Sequence, residues 1–431
     1  MKFIFNRYSF DPDSGIAKFN YHFDSGLSFE ESVVFQIRDH SYDSSVLDQA
    51  LFLSFILVGT SYWKTFPTTD ITLPQDLDNF QAKFFNSVFQ EGMSQYAFEN
   101  NLTRDDLAHF IVTTESNTSN TQYKGRGVMA LQSGGKDSLL TASLLEKANI
   151  NYTPWYVSSS DRHPSILDHL SQPPIVARRN IDHQSLSQAV QSGALNGHVP
   201  VTFILQSFAL IQAILLGKNQ ILTSIGHEGS EPHLVIDDLA VNHQWSKTWE
   251  AEQLFSRYVQ DYISADIQIG SPLRQFSELK IAELFVQNSW TEFGHSFSSC
   301  NVANYRQGTD NSQLTWCGNC PKCANSFLLF APFLPALELK SVFGGRDLFA
   351  NSDLAETFQG LLGLGGIMKP FECVGETSEL RRAYHMIDFS SGYSHLPFDV
   401  PSSSYDHHQI YPSQSWAHNL LFSFQPNGDS V

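Results

Sequence analysis

A chain of 431 residues exceeds one ordinary core and implies roughly two or three domains. Its 42% apolar content, 34 Phe and only 16% charged residues supply packed interiors and exclude a disordered chain. Subtracting 44 acidic from 26 basic residues gives a net charge of -18, which opposes general attraction to nucleic acid or an anionic membrane; an anionic substrate needs a local patch.

Met1-Lys-Phe-Ile-Phe-Asn-Arg-Tyr8 alternates like a strand and lacks the apolar core of a cleavable signal, so a cytoplasmic chain is expected. Residues 3–35 form three alternating segments parted by Asp11-Pro-Asp-Ser-Gly15 and Asp24-Ser-Gly26, which predicts a β-meander. Helices follow around 44–59 and 77–100, completing an α+β unit over 1–120. The apolar stretch 51–59 is too short to span a bilayer and 199–217 is broken by Gln206, Ser207 and Gln212, so both are expected as buried helices.

Thr114-Glu-Ser-Asn-Thr-Ser-Asn-Thr-Gln122 is polar and aperiodic, and the domain boundary is placed there. A second unit, 125–335, then reads strand 127–132, Gly-rich turn, helix 136–148, strand 153–158, helix 201–216 and strand 220–225, the α/β alternation of an open parallel sheet. Ligands of such sheets bind at the carboxyl ends of the strands, so residues 133–138 and Gly226-His-Glu-Gly-Ser-Glu231 should face one cavity. Asn242-His-Gln-Trp-Ser-Lys247 should open a helix and is a candidate to contact substrate polar groups, with helix capping by Asn242 or Ser246 as the plain alternative. Residues 336–431, Gly-rich at 360–366 and then polar and aromatic, form a C-terminal extension to which no fold is assigned.

In Ser133-Gly-Gly-Lys-Asp-Ser138, Gly134 and Gly135 let backbone amides approach a phosphate while the next helix aims its positive end at the same point. Ser133 and Ser138 add hydroxyls, Lys136 a charge, and Asp137 a carboxylate suited to Mg²⁺. The plain alternative is a strand-to-helix turn with Gly for tightness. A Walker A loop is absent. Gly226-His-Glu-Gly-Ser-Glu231 follows a strand end and is a candidate to contact nucleotide or metal, with simple solvation of His227 as the alternative. Arg162, Arg178, Arg179, Lys247 and Arg274 are candidates for the anion patch.

Cys317-Gly-Asn-Cys-Pro-Lys-Cys323 sets three sulfurs at two-residue spacing, and Cys300 lies 17 positions upstream to complete a tetrahedral set. Structural Zn²⁺ is the leading expectation, an iron-sulfur cluster its rival and buried free thiols the third. Four thiolates leave no open position, so the ion should hold the fold without catalysing. Cys373 stands apart and is expected as an inert buried thiol.

The Ser133 to Ser138 string resembles the loop of the pyrophosphate-loop ATP pyrophosphatases, and Ser271-Pro-Leu-Arg-Gln-Phe-Ser-Glu-Leu-Lys-Ile-Ala-Glu-Leu284 resembles a later loop and helix of that superfamily. As an ordered set, Phe5-Asn-Arg-Tyr-Ser-Phe-Asp-Pro-Asp-Ser-Gly15, Gly59-Thr-Ser-Tyr-Trp-Lys64, Asp238-Leu-Ala-Val-Asn-His-Gln-Trp-Ser-Lys247 and Lys369-Pro-Phe-Glu-Cys-Val-Gly375 resemble the UDP-N-acetylmuramoyl-L-alanyl-L-glutamate epimerase family. The resemblance implies a pyrophosphate-loop ATPase domain, ATP and Mg²⁺ as cofactors, and a UDP-sugar dipeptide whose terminal L-Glu is inverted through an adenylate, releasing AMP and pyrophosphate. His227, Glu228 and His243, with Lys247, are the candidates for proton transfer. A 7-cyano-7-deazaguanine synthase-like enzyme shares the loop and late cysteines but carries the loop near its chain start. The acidic charge disfavours a tRNA thiolase, and a nucleotide sensor without turnover is the non-enzymatic alternative.

Overall fold

In the computed structural model, which describes residues 1–38, 42–119, 121–227, 229–236, 239–306 and 312–422, the turn-forming strings reverse the chain as their composition dictates. Gly15, at φ 71°, donates its N–H to the Asp11 carbonyl at 2.9 Å, and a side chain there would collide with the Phe35 carbonyl. The result is the antiparallel meander β1 (Phe3–Asp11), β2 (Ile16–Phe23) and β3 (Ser28–Val34). Its period-two residues Phe3, Phe5, Phe19, Tyr21, Phe23, Phe29 and Val33 are buried in one core. The Phe55 ring of the helix Ser44–Trp63 meets Tyr21 at 5.1 Å and Phe5 at 5.5 Å. This helix extends beyond the expected 44–59 and is by length and composition able to cross a membrane, yet 78% of its apolar window is buried inside the protein.

The single helix expected over 77–100 is two, Asn79–Gln90 and Ser94–Glu99. They part at Gly92, where the Val88 carbonyl, Trp245 and Pro200 approach too closely for any side chain. A short β4 (Ile71–Thr72) edges β1. Then come β5 (Val128–Leu131), β6 (Tyr152–Ser158), β7 (Ile175–Asn180), β8 (Gln220–Leu222), the two-stranded ribbon β9 (Leu234–Ile236) with β10 (Leu239–Val241), and β11 (Gln268–Gly270). The α/β reading holds: β11, β8, β5, β6 and β7 are mutually parallel.

β3 pairs antiparallel with β7, so meander and parallel strands share one nine-stranded sheet, β11-β8-β5-β6-β7-β3-β2-β1-β4. At that seam the fully buried Glu31 accepts hydrogen bonds from Arg179 Nε at 2.7 Å and Tyr62 Oη at 2.7 Å. Buried charges are tolerated when paired in this way.

Alternate side chains of the parallel strands enter two cores. Met129, Trp155 and Ile221 join the meander and the helix Val201–Leu215 on one face. On the other, Val128, Ala130, Tyr152 and Leu222 meet the helices Lys136–Lys147, Glu278–Asn288, Pro321–Phe330 and Thr377–His385. The C-terminal extension thus packs into the core on this second face of the sheet. The helix expected at Asn242 begins later, as Trp249–Tyr262, and is capped by Thr248, whose Oγ1 accepts the Ala251 N–H at 3.2 Å. Asn242 instead accepts the Gln244 N–H at 2.8 Å in a local turn.

Candidate active site

β5 ends in the glycine loop. Gly134 holds φ 77°, and a side chain there would strike Leu314 and Ile166. Within the loop, the Ser133 N–H donates to Ser138 Oγ at 3.2 Å, the Ser133 and Ser138 hydroxyls share a hydrogen bond at 3.1 Å, and the Gly135 N–H donates to Ser133 Oγ at 3.3 Å. Gly135 is the N-cap of Lys136–Lys147, and no side chain caps that helix, whereas Asp43, Asp78, Thr248 and Ser277 cap others. Its first-turn amides suit an anion.

Lys136 points away from solvent, ion-paired with its neighbour Asp137 and, at 2.6 Å, with Glu278 at the start of the next core helix. Burial by itself pulls its pKa down; the Asp137 and Glu278 carboxylates outweigh that and hold the ammonium charged. The lysine therefore ties the loop to Glu278, and Asp137 shares it.

Gly226 and His227 stand beside this pair. Arg274 Nη1 donates to the Gly226 carbonyl at 2.7 Å, and the His227 N–H donates to the Phe276 carbonyl at 2.7 Å. The His227 ring lies on Tyr411 at 3.4 Å between centroids and 8° between planes, with its Nε2 4.0 Å from Glu376 Oε1. Burial, then the Arg274 charge, lowers its pKa to about 4. Glu376 is raised by burial and by Glu231, against the pull of Lys369. Glu379, fully buried, accepts the Leu279 N–H at 2.7 Å and is pushed up to about 7 by burial.

His243 lies in a second cluster, with ring centroids 4.5 Å from His198 and 6.2 Å from His233, and Nδ1 2.6 Å from Gln95 Oε1. Burial leads in lowering all three histidines, His198 to about 3 and the others to about 4. Lys369, paired with Glu231 at 2.7 Å, acts electrostatically on both His233 and Glu376 and so stands between the clusters. The Lys247 carbonyl accepts from Arg274 Nη1 at 2.7 Å. Glu228 lies outside the described residues.

Three of the four candidate arginines are each engaged by a carboxylate. Arg274 is wholly buried on Glu252 at 2.6 Å, Arg179 on Glu31 at 2.7 Å, and Arg178 pairs at the surface with Asp161 at 3.0 Å. Each answers an acid of this acidic chain. Glu278, Glu376, Glu379 and Tyr411 escaped the sequence reading. Glu376 follows directly on the family-like string ending at Gly375, and Glu379 lies one helical turn further.

The four expected cysteines converge: Cys300 to Cys320 is 3.6 Å, Cys317 to Cys323 3.7 Å and Cys320 to Cys323 3.5 Å between sulfurs, all four within 4.8 Å. A tetrahedron with metal-sulfur bonds of about 2.3 Å has edges of about 3.8 Å, so the set can hold one ion such as zinc. An iron-sulfur cage would spread the sulfurs further. The Ser298 N–H donates to the Gly134 carbonyl at 3.3 Å and Ser298 Oγ accepts the Cys300 N–H at 3.1 Å, joining the cysteine site to the glycine loop. Cys373 is half-buried, its carbonyl bound by Lys322 at 2.8 Å.

Two family domains match in order, the MurL N-terminal domain over residues 1–271 and the MurL C-terminal domain over 296–400. Proteins named UDP-N-acetyl-alpha-D-muramoyl-L-alanyl-L-glutamate epimerase from Salinispora tropica and Xanthomonas oryzae pv. oryzae are each 32% identical to the chain, covering 99% and 88% of it and 93% and 84% of the relatives. One from Micromonospora sp., also 32% identical, covers 88% of the chain and 84% of itself. The matched ranges take in the meander, the glycine loop, the cysteines and the helix Thr377–His385, and the chain belongs to the UDP-N-acetyl-α-D-muramoyl-L-alanyl-L-glutamate epimerase family.

Proposed function

We propose that this chain inverts the terminal L-Glu of UDP-N-acetylmuramoyl-L-Ala-L-Glu to D-Glu by way of a glutamyl adenylate, in the cytoplasm. The observation that carries the reading is the chain-long similarity to relatives bearing that epimerase name. The chemistry explains why ATP is needed. A free carboxylate is already anionic, so losing the neighbouring α-proton would put a second charge beside the first; adenylation removes the first and lets the carbonyl stabilise an enolate.

Supporting the ATP step are the uncapped helix start at Gly135 and the left-handed Gly134, a cradle for pyrophosphate of the pyrophosphate-loop type. Ser133, Gly134, Gly135, Lys136, Ser138 and Gly226 would line it, and Asp137 would hold Mg²⁺ against phosphate oxygens. Cys300, Cys317, Cys320 and Cys323 would hold Zn²⁺ as a structural ion. His227, Glu228, His243 and Lys247 are the proton-transfer candidates.

Incubation with ATP, Mg²⁺ and the L-Glu substrate in D₂O should place deuterium at the glutamyl α-carbon and release AMP and pyrophosphate. Absence of exchange would sink the reading, and exchange without ATP would sink the adenylate.

A further inference from the structure

We infer that Glu376 positions His227 as the proton-transfer group on one face of the glutamyl α-carbon; the inference rests on the epimerase reading above. Three restraints define the imidazole. Its backbone is pinned through the Gly226 carbonyl and its own N–H, Tyr411 fixes the ring plane by stacking at 3.4 Å, and Glu376 faces the Nε2 edge at 4.0 Å. Among the described residues no hydrogen bond engages Nδ1, and this is the edge assigned to the substrate proton.

The position suits the reaction. A Cβ on Gly226, the preceding residue, would lie 3.8 Å from Glu278, and Glu278 grips Lys136 of the glycine loop at 2.6 Å. His227 is therefore linked, through Gly226 and Glu278, to the loop that would hold the leaving pyrophosphate. Glu376 and Tyr411 both come from the C-terminal extension, and the Tyr411 hydroxyl is itself held by Tyr405 at 2.7 Å.

The groups facing the pair are compatible with the role. Arg274 is neutralised by Glu252, and Lys369 by Glu231, while Glu379 is buried against the start of the helix Glu278–Asn288. Burial, with the Arg274 charge, keeps His227 neutral before reaction. The Cα–H bond then breaks, its electron pair enters the enolate of the activated carboxyl, and the proton moves to Nδ1. The imidazolium so formed faces the Glu376 carboxylate at Nε2, and a protonated side chain on the opposite face supplies the replacement proton.

Glu376→Gln keeps the shape and removes the charge. Deuterium incorporation at the α-carbon should fall about 100-fold or more, while first-turnover pyrophosphate release falls far less. His227→Gln should show the same split, and Glu376→Asp should recover part of the exchange. Unchanged exchange in Glu376→Gln, or exchange and pyrophosphate release falling in parallel in both variants, would overturn the assignment. A wild-type protein that neither exchanges nor releases pyrophosphate would instead overturn the epimerase reading, and this inference with it.

Discussion

At Gly134 the backbone conformation and the nearest neighbour make the same demand. The left-handed φ of 77° and the Leu314 contact both exclude a side chain, so Gly134→Ala should weaken ATP binding at least about tenfold by calorimetry, through strain of ~1–2 kcal/mol and displacement of Leu314. Glu379 is different: nothing in its local sequence marks it as buried. Its pKa, raised from 4.5 to about 7 by burial, means that the folded protein binds its proton more tightly than the unfolded chain does. Its contribution to stability is full below pH 4.5 and is lost as pH rises through about 7, to the extent of roughly 3 kcal/mol. Glu379→Gln should remove that slope, as urea titrations at pH 5 and 8 would reveal.

Among the elements, the cysteine knuckle and the glycine loop are joined through residue 298, bound to the Gly134 carbonyl on one side and to the Cys300 N–H on the other. Stripping the ion, or Cys320→Ser, should lower the melting temperature and also raise the Kd for ATP by about tenfold, since the loop's wall loosens. Full ATP affinity in metal-free protein would refute the link, and metal analysis should find about one zinc per chain. Spacing alone announced a four-cysteine cluster able to hold a metal. That it is joined to the glycine loop depended on a contact between residues far apart in the chain, 134 and 298.

Across the whole molecule, one sheet joins segments that look separate in the sequence. Described residues on either side of position 120 are pinned: the Asn117 N–H donates to Asp78 at 3.0 Å, the Ser119 N–H to the Asp261 carbonyl at 2.8 Å and the Tyr123 N–H to Asp266 at 2.9 Å. At the β3–β7 seam, Arg179→Met should cost about 3–5 kcal/mol in urea unfolding because it strands Glu31, and Glu31→Leu in the same chain should restore much of it. Equal losses in the single and double variants would show that the ion pair does not hold the seam.

What the sequence by itself determined is what neighbouring residues decide: the meander's turns, the strand-loop-helix at 128–147, the cysteine spacing and the family likeness. Local sterics and side-chain period are set within a few positions, so they survive without knowledge of the fold. Only the tertiary structure decided that Arg179 and Arg274 answer buried acids, that Lys136 turns inward to Glu278, and that Glu376 and Tyr411 meet His227. Those pairings join residues more than a hundred positions apart, apart from Arg274 with Glu252, and their charges are fixed by how two cores close on the two faces of one sheet.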